Sequence, residues 1–151
     1  MKKLAISLVG AAVAVGALYA VPAAAQFAKT EDAIKYRKAS FVVMANHMGR
    51  LSAMAKGERP FDAAAAQNSA KIIDMAAQLP WEAFVPNSAT GDTRLKPEGL
   101  TNAADFKAAG DKMKSETAKL VTAVATLDGL KGQLGAVGGS CKNCHDKFRK
   151  D

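Results

Sequence analysis

Residues 130–148 read LKGQLGAVGGSCKNCHDKF. The apolar positions Leu130, Leu134, Val137, Cys141, Cys144 and Phe148 recur at steps of four and three. That is the seam of an amphipathic helix that buries one stripe against neighbours. Gly132, Gly135, Gly138 and Gly139 interrupt it. They either weaken the helix locally or let a bulky group approach its backbone. Inside the seam stands Cys141-Lys142-Asn143-Cys144-His145. Two thiols three residues apart on a helix lie about one turn apart on one side, and the next residue offers an imidazole beside them.

A single amphipathic helix cannot bury its own stripe, and three more precede it. From Thr30, a predicted N-cap followed by Glu31 and Asp32, a helix carries Ile34, Phe41 and Met48 every seven residues, with Met44 and Leu51 at the second seam position. Gly57 and Pro60 end it. A second starts near Asp62, carries Ala65, Ser69, Ile72, Ile73, Ala76 and Leu79, and stops at Pro80. Residues 80–101 hold three of the chain's prolines and read as a long loop, pinned to the core by Trp81 and Phe84. A third helix starts near Asn102 and carries Phe106, Met113, Leu120 and Leu127, with Val121 and Val124 beside them; Asp128-Gly129 is predicted to close it. Four such helices predict an all-α fold, an antiparallel four-helix bundle of up-down-up-down topology.

Composition agrees with a small helical domain. The chain has 151 residues, 49% apolar, with only 6% aromatic. It opens Met1-Lys2-Lys3, runs uncharged from Leu4 to Ala20, and reaches Ala23-Ala24-Ala25 after Pro22. This is the layout of a secretory leader, 1–25, cleaved after Ala25, with a retained membrane anchor as the competing reading. Cleavage implies export to a bacterial periplasm and no membrane attachment of the mature chain 26–151. Without Lys2 and Lys3 the formal charge falls from +7 to about +5. That modest excess does not argue for nucleic acid. Two cysteines make neither a disulfide framework nor a four-thiolate metal site, and His47 and His145 are too few for multi-histidine metal chemistry.

The C-x-x-C-H motif is the signature of covalent haem c attachment. Each thiol can add to one vinyl group of a single haem, and the histidine can then reach the iron. A thioredoxin-like thiol pair belongs at a helix N-terminus, where thiolate is stabilised; here the pair stands deep in the last helix. The other face of the iron has four candidates: His47, Met44, Met48 or no side chain. His47 points about 240° away from Phe41 around the helix and reads as a surface or interface histidine. Met44 and Met48 lie on the stripe, where either ligation or core filling is open. Methionine ligation would make a six-coordinate, low-spin electron-transfer cytochrome.

The mature chain opens Gln26-Phe27-Ala28-Lys29, continues E-D-A-I-K-Y-R over 31–37, includes L-P-W-E-A-F over 79–84, and ends C-K-N-C-H-D-K-F-R-K. Along this length it resembles cytochrome c′, a class II c-type cytochrome with the haem motif near its C-terminus. The resemblance implies one covalent haem c in the bundle core, high-spin and five-coordinate. Cys141 and Cys144 would be its thioethers and His145 its axial ligand. Phe41 would shield the distal face, where many relatives carry an aliphatic residue. Arg37, with Lys38 beside it, would lie near the haem propionates, and Asp92 at the haem edge. Arg149, four residues after His145, would approach the proximal face. The resemblance also implies a homodimer formed through the first two helices.

Function follows from that pocket. A distal face without a hydrogen-bond donor stabilises bound O₂ poorly, whereas NO and CO need less help. The expectation is a gas-binding or electron-transferring haem protein. It is not expected to be an enzyme, because no distal histidine and arginine pair is placed for peroxidase chemistry. Lys142, Lys147, Arg149 and Lys150 either steer an acidic periplasmic redox partner or form a solvated face.

Overall fold

The computed structural model describes residues 26–151; the expected leader, 1–25, lies outside them. The described residues form α1 (Thr30–Ala55), α2 (Ala63–Gln78), a 3-10 turn (Pro80–Ala83), α3 (Glu98–Thr101), α4 (Ala103–Ala123) and α5 (Leu127–Phe148). Helix α1 packs on α2, α2 on α4, α4 on α5, and α5 closes the ring on α1. Each long helix thus neighbours the next in sequence, the arrangement of a four-helix bundle, although a long loop joins α2 to α4.

Local chemistry sets the helix ends. Asp62 caps α2 by accepting from Ala65 N–H at 3.0 Å, and Asn102 caps α4 by accepting from Asp105 N–H. Two expected boundaries shift. Thr30 is the first helical residue of α1 and Lys29 is the cap, without a side-chain bond. The α4–α5 turn comes earlier than Asp128-Gly129, so Leu127 opens α5 and does not end α4. The reason is Thr126, whose hydroxyl accepts from Gly129 N–H at 3.1 Å. Gly129 then sits where a Cβ would meet Ala123 O at 2.1 Å, so only glycine lets the two helix ends come this close. The expected long loop also holds the 3-10 turn and α3, both four residues long.

The main core gathers Met44, Leu51, Ile73, Met113, Leu120, Val124, Leu130 and Val137. On α1 the buried side chains include Ile34, Arg37, Met44, Leu51 and Met54. Phe41 and Met48, on the expected stripe, are only half-buried, packed on the flank of this cluster. A second cluster of Leu95, Phe106 and Phe148 sits under the loop, with Trp81, Phe84 and Cys144 against it. Its rings meet edge-on, with Phe84–Phe106 at 4.6 Å and Phe106–Phe148 at 5.2 Å between centroids. Trp81 lies over Gly110 and donates its indole N–H to Ala77 O at 2.7 Å, so the loop is pinned as expected.

Candidate functional site

Helix α5 presents both thiols to the apolar interior at the junction of the two clusters. Cys141 packs on the main core, the same cluster that Phe41 and Met48 flank, and Cys144 packs on the aromatic cluster. Both are free thiols and half-buried. Burial pushes both thiol pKa values up, and Cys141 raises Cys144 further. A redox thiol pair needs the opposite shift. Neutral thiols in an apolar setting, one turn apart, suit addition to an apolar planar group.

His145 follows on the exposed side of the last turn. Partial burial, then the charges of Arg149 and Arg94, lower its pKa, while Asp146 pulls the other way. The imidazole is therefore neutral near pH 7, the form that binds a metal. Among the described residues no three His, Cys, Asp or Glu side chains gather as a metal cage. An iron at His145 would need its remaining ligands from elsewhere, which is what a porphyrin supplies. The residues present thus fit a haem.

The other expected residues fall into two groups. Arg37 is 3% exposed. Its guanidinium donates to Ala83 O (3.0 Å), Ser88 Oγ (2.7 Å), Ser88 O and Thr93 Oγ1 (2.8 Å), and lies 4.8 Å from the Phe84 ring centroid. Burial pushes its pKa down to about 10, so it stays charged at neutral pH. Lys38, expected beside Arg37, and Asp92, expected at the haem edge, meet in an exposed ion pair of 2.6 Å. Lys38 holds the Asp92 carboxyl below its ordinary pKa. Together these contacts tie the loop to α1 beside Phe41.

Arg149 lies just past the helix. Helix α5 ends at Phe148, and Arg149 is extended (φ −117°, ψ 133°), although its N–H still donates to His145 O at 3.0 Å. An antiparallel bridge to Leu95 holds it there. His47 is half-buried, and its Nδ1 is enclosed without a hydrogen-bond partner. Burial and then Arg50 lower its pKa. The four glycines of α5 after Gly129 have no neighbour within 4 Å of a notional Cβ, so no protein group requires them.

Two pockets flank α5 or the loop. One, about 350 Å³, is lined by Trp81, Phe84, Leu100 and Phe106 among others, beside the cluster that Cys144 joins. A wider groove of about 450 Å³ between α4 and α5 is lined by Glu116, Ser140, Lys142 and Asn143. It includes neither thiol nor His145. Sequence reading missed Ser88, Thr93 and Leu95, whose roles come only from long-range pairing. It also missed Glu116, a buried carboxylate between Lys112 (2.8 Å) and Lys119 (2.9 Å) and bonded to Gln133. The i±3/4 lysines around it were a readable signal.

A bundle whose last helix carries two interior thiols and an adjoining neutral imidazole defines a c-type haem protein of the four-helix kind. Comparison with known proteins sharpens this. The family model for cytochrome C′ matches residues 32–149, and the chain belongs to the cytochrome c′ family. It is 44% identical over 128 residues to cytochrome c′ of Rubrivivax gelatinosus, covering 83% of this chain and 99% of that one. It is 42% identical over 127 residues to that of Alcaligenes xylosoxydans xylosoxydans, covering 83% and 98%. The crystal structure of the Rubrivivax gelatinosus protein superposes with a TM-score of 0.79 at 42% identity, covering 83% of this chain and 100% of that one. A nitric oxide complex of a variant from Alcaligenes xylosoxidans gives 0.78 at 39% identity, covering 83% and 98%, and a carbon monoxide-bound variant gives 0.78 at 39%, covering 83% and 99%. The cofactor of this family is covalently attached haem c.

Proposed function

We propose that the chain is a periplasmic cytochrome with one haem c fixed by Cys141 and Cys144, ligated by His145 alone, that binds NO and CO and exchanges electrons. The observation that carries this reading is the pair of half-buried neutral thiols between two apolar clusters, with the α1 side chain Phe41 flanking the cluster that Cys141 joins. The haem, when bound, supplies an iron that takes small diatomic ligands and cycles between two oxidation states.

The chain's residues shape that behaviour. Phe41 supplies an apolar distal cover with no hydrogen-bond donor, which disfavours O₂ relative to NO and CO. Arg37 is a buried cation without a carboxylate partner among the described residues. An acidic haem edge would offset that charge, which supports its placement near the propionates. Lys38 and Asp92 close the loop over that edge. Arg149, held beside His145 by its N–H and by the Leu95 bridge, keeps a cation near the proximal ligand.

No helix among the described residues is long and apolar enough to cross a membrane. Cleavage after Ala25 and export complete the reading. The large exposed apolar side chains Val42 and Val43 on α1, Met75 on α2 and Leu79 just after it, with exposures of 39–63%, support a homodimer through these helices. Optical titration of the reduced holoprotein with NO, CO and O₂ tests the function. Saturable adduct spectra with NO and CO are expected, and with O₂ only oxidation to the ferric spectrum without a stable oxygen adduct; no adduct with NO or CO would defeat it.

A further inference from the structure

His47 is the second histidine of the chain, and the haem reading leaves it without a role. It stands three residues after Met44 and four before Leu51, both buried, and four after Val43, which is exposed. Residues three and four apart share a helix face. His47 therefore lies on the border between the core side of α1 and its exposed apolar flank. Its Nδ1 is enclosed without a hydrogen-bond partner, while the ring as a whole is only half-buried. One edge of the imidazole thus faces into the fold and the other reaches the surface.

That surface is the one a homodimer through α1 and α2 would cover. Residues 56–62 join the two helices, which pack along each other. In an antiparallel pair centred on Arg59, Val43 lies level with Met75 and His47 with Lys71. Val43, Met75 and Leu79 are exposed apolar side chains, and His47 borders them. The charge that acts on His47 is Arg50, three residues further along α1. On α2, Lys71 is exposed, and Asp74 accepts from the Thr117 hydroxyl of α4 at 3.0 Å. Glu82 of the 3-10 turn acts on Tyr36, three turns earlier on α1. No charge on α2, the 3-10 turn, α4 or α5 adds to the effect of Arg50.

We propose that His47 makes self-association depend on protons: two copies join while its imidazole is neutral and separate when it is protonated. The proposal rests on the homodimer reading above. Neutral His47 can keep its proton on Nε2 and leave Nδ1 bare, which costs little where no donor stands. Protonation puts an N–H on Nδ1 where no acceptor stands, and a positive charge near Arg50. In a separate copy, water at the outer edge of the ring offsets part of that cost. A second copy excludes this water, and twofold symmetry brings a second His47 and a second Arg50 to the same interface. Burial and then Arg50 already hold the His47 pKa below its usual 6.5 in a single copy. Covering the ring lowers it further, so the dimer binds fewer protons than two monomers and gains affinity as pH rises. Each unit of further lowering weakens association at low pH by about tenfold per histidine, or about a hundredfold for the pair.

Sedimentation velocity of the holoprotein over a concentration series, at about pH 8 and about pH 5, tests this. The dimer dissociation constant is expected to rise about 10–100-fold from the higher to the lower pH. His47→Gln, neutral throughout, should hold it within about threefold over that range. His47→Lys, charged throughout, should be as dissociated at the higher pH as the wild type is at the lower. A dissociation constant indifferent to pH, or a pH dependence that persists in His47→Gln, would overturn the switch and leave the homodimer standing. A wild-type protein that is monomeric at the higher pH would remove the homodimer reading and the switch with it.

Discussion

At Arg37, four donated hydrogen bonds converge on two backbone carbonyls and two hydroxyls of the loop. Ser88 is fully buried, so truncating the arginine strands acceptors away from water. Arg37→Ala should destabilise by about 3 kcal/mol in urea denaturation. Lys38→Ala removes an exposed ion pair and should cost less than about 1 kcal/mol. Gly110 and Gly132 make a second contrast. A Cβ on Gly110 would meet Trp81 Cη2 and Cζ3 at 2.6 Å, whereas one on Gly132 meets nothing within 4 Å. Gly110→Ala should therefore destabilise by about 1–3 kcal/mol and shift the Trp81 fluorescence. Gly132→Ala should stabilise by up to about 1 kcal/mol through helix propensity. In the sequence Arg37 stands seven residues before Met44, in line with the second seam position, but its acceptors lie 46–56 residues away and only the folded loop reveals them.

Among the elements, α4 and α5 are joined by the Glu116 hub. Lys112, Lys119 and Gln133 hold the Glu116 carboxyl down to about 2, from a usual 4.5. A lowered carboxylate pKa contributes stability that is complete above the unfolded value and fades as pH falls through the folded one. Glu116→Gln should therefore melt below the wild type at pH 7, and the gap should shrink as pH drops from about 4.5 toward about 2, which thermal melts across that range will show. The long helices were legible because their apolar periodicity extends over several turns. The short pieces were not. The 3-10 turn and α3 are single turns without a repeating pattern, and the α4–α5 boundary depends on the Thr126 cap and a backbone contact at Gly129. Asp128-Gly129 looked like a stop because Gly commonly ends helices. Here close packing of the two helix ends, rather than helix termination, calls for glycine.

For the molecule as a whole, the three residues proposed to hold the haem, Cys141, Cys144 and His145, are legible in the sequence because chemistry fixes their spacing on one helix. The end of α5 is less legible, because it depends on the long-range bridge to Leu95, which closes the helix at Phe148. The proposed homodimer would form through the exposed apolar residues around α1 and α2. Val43→Glu with Met75→Glu should convert a homodimer to monomers in analytical ultracentrifugation while the visible spectrum stays unchanged, because neither residue joins the clusters around the thiols. The central claim is an iron gripped by His145 on one side and left without a protein ligand beneath Phe41. Electron paramagnetic resonance of the resting ferric holoprotein at neutral pH tests it most directly. A high-spin signal of a five-coordinate haem is the predicted result; a low-spin, six-coordinate signal, with Met44, Met48 or His47 on the second face, would contradict it.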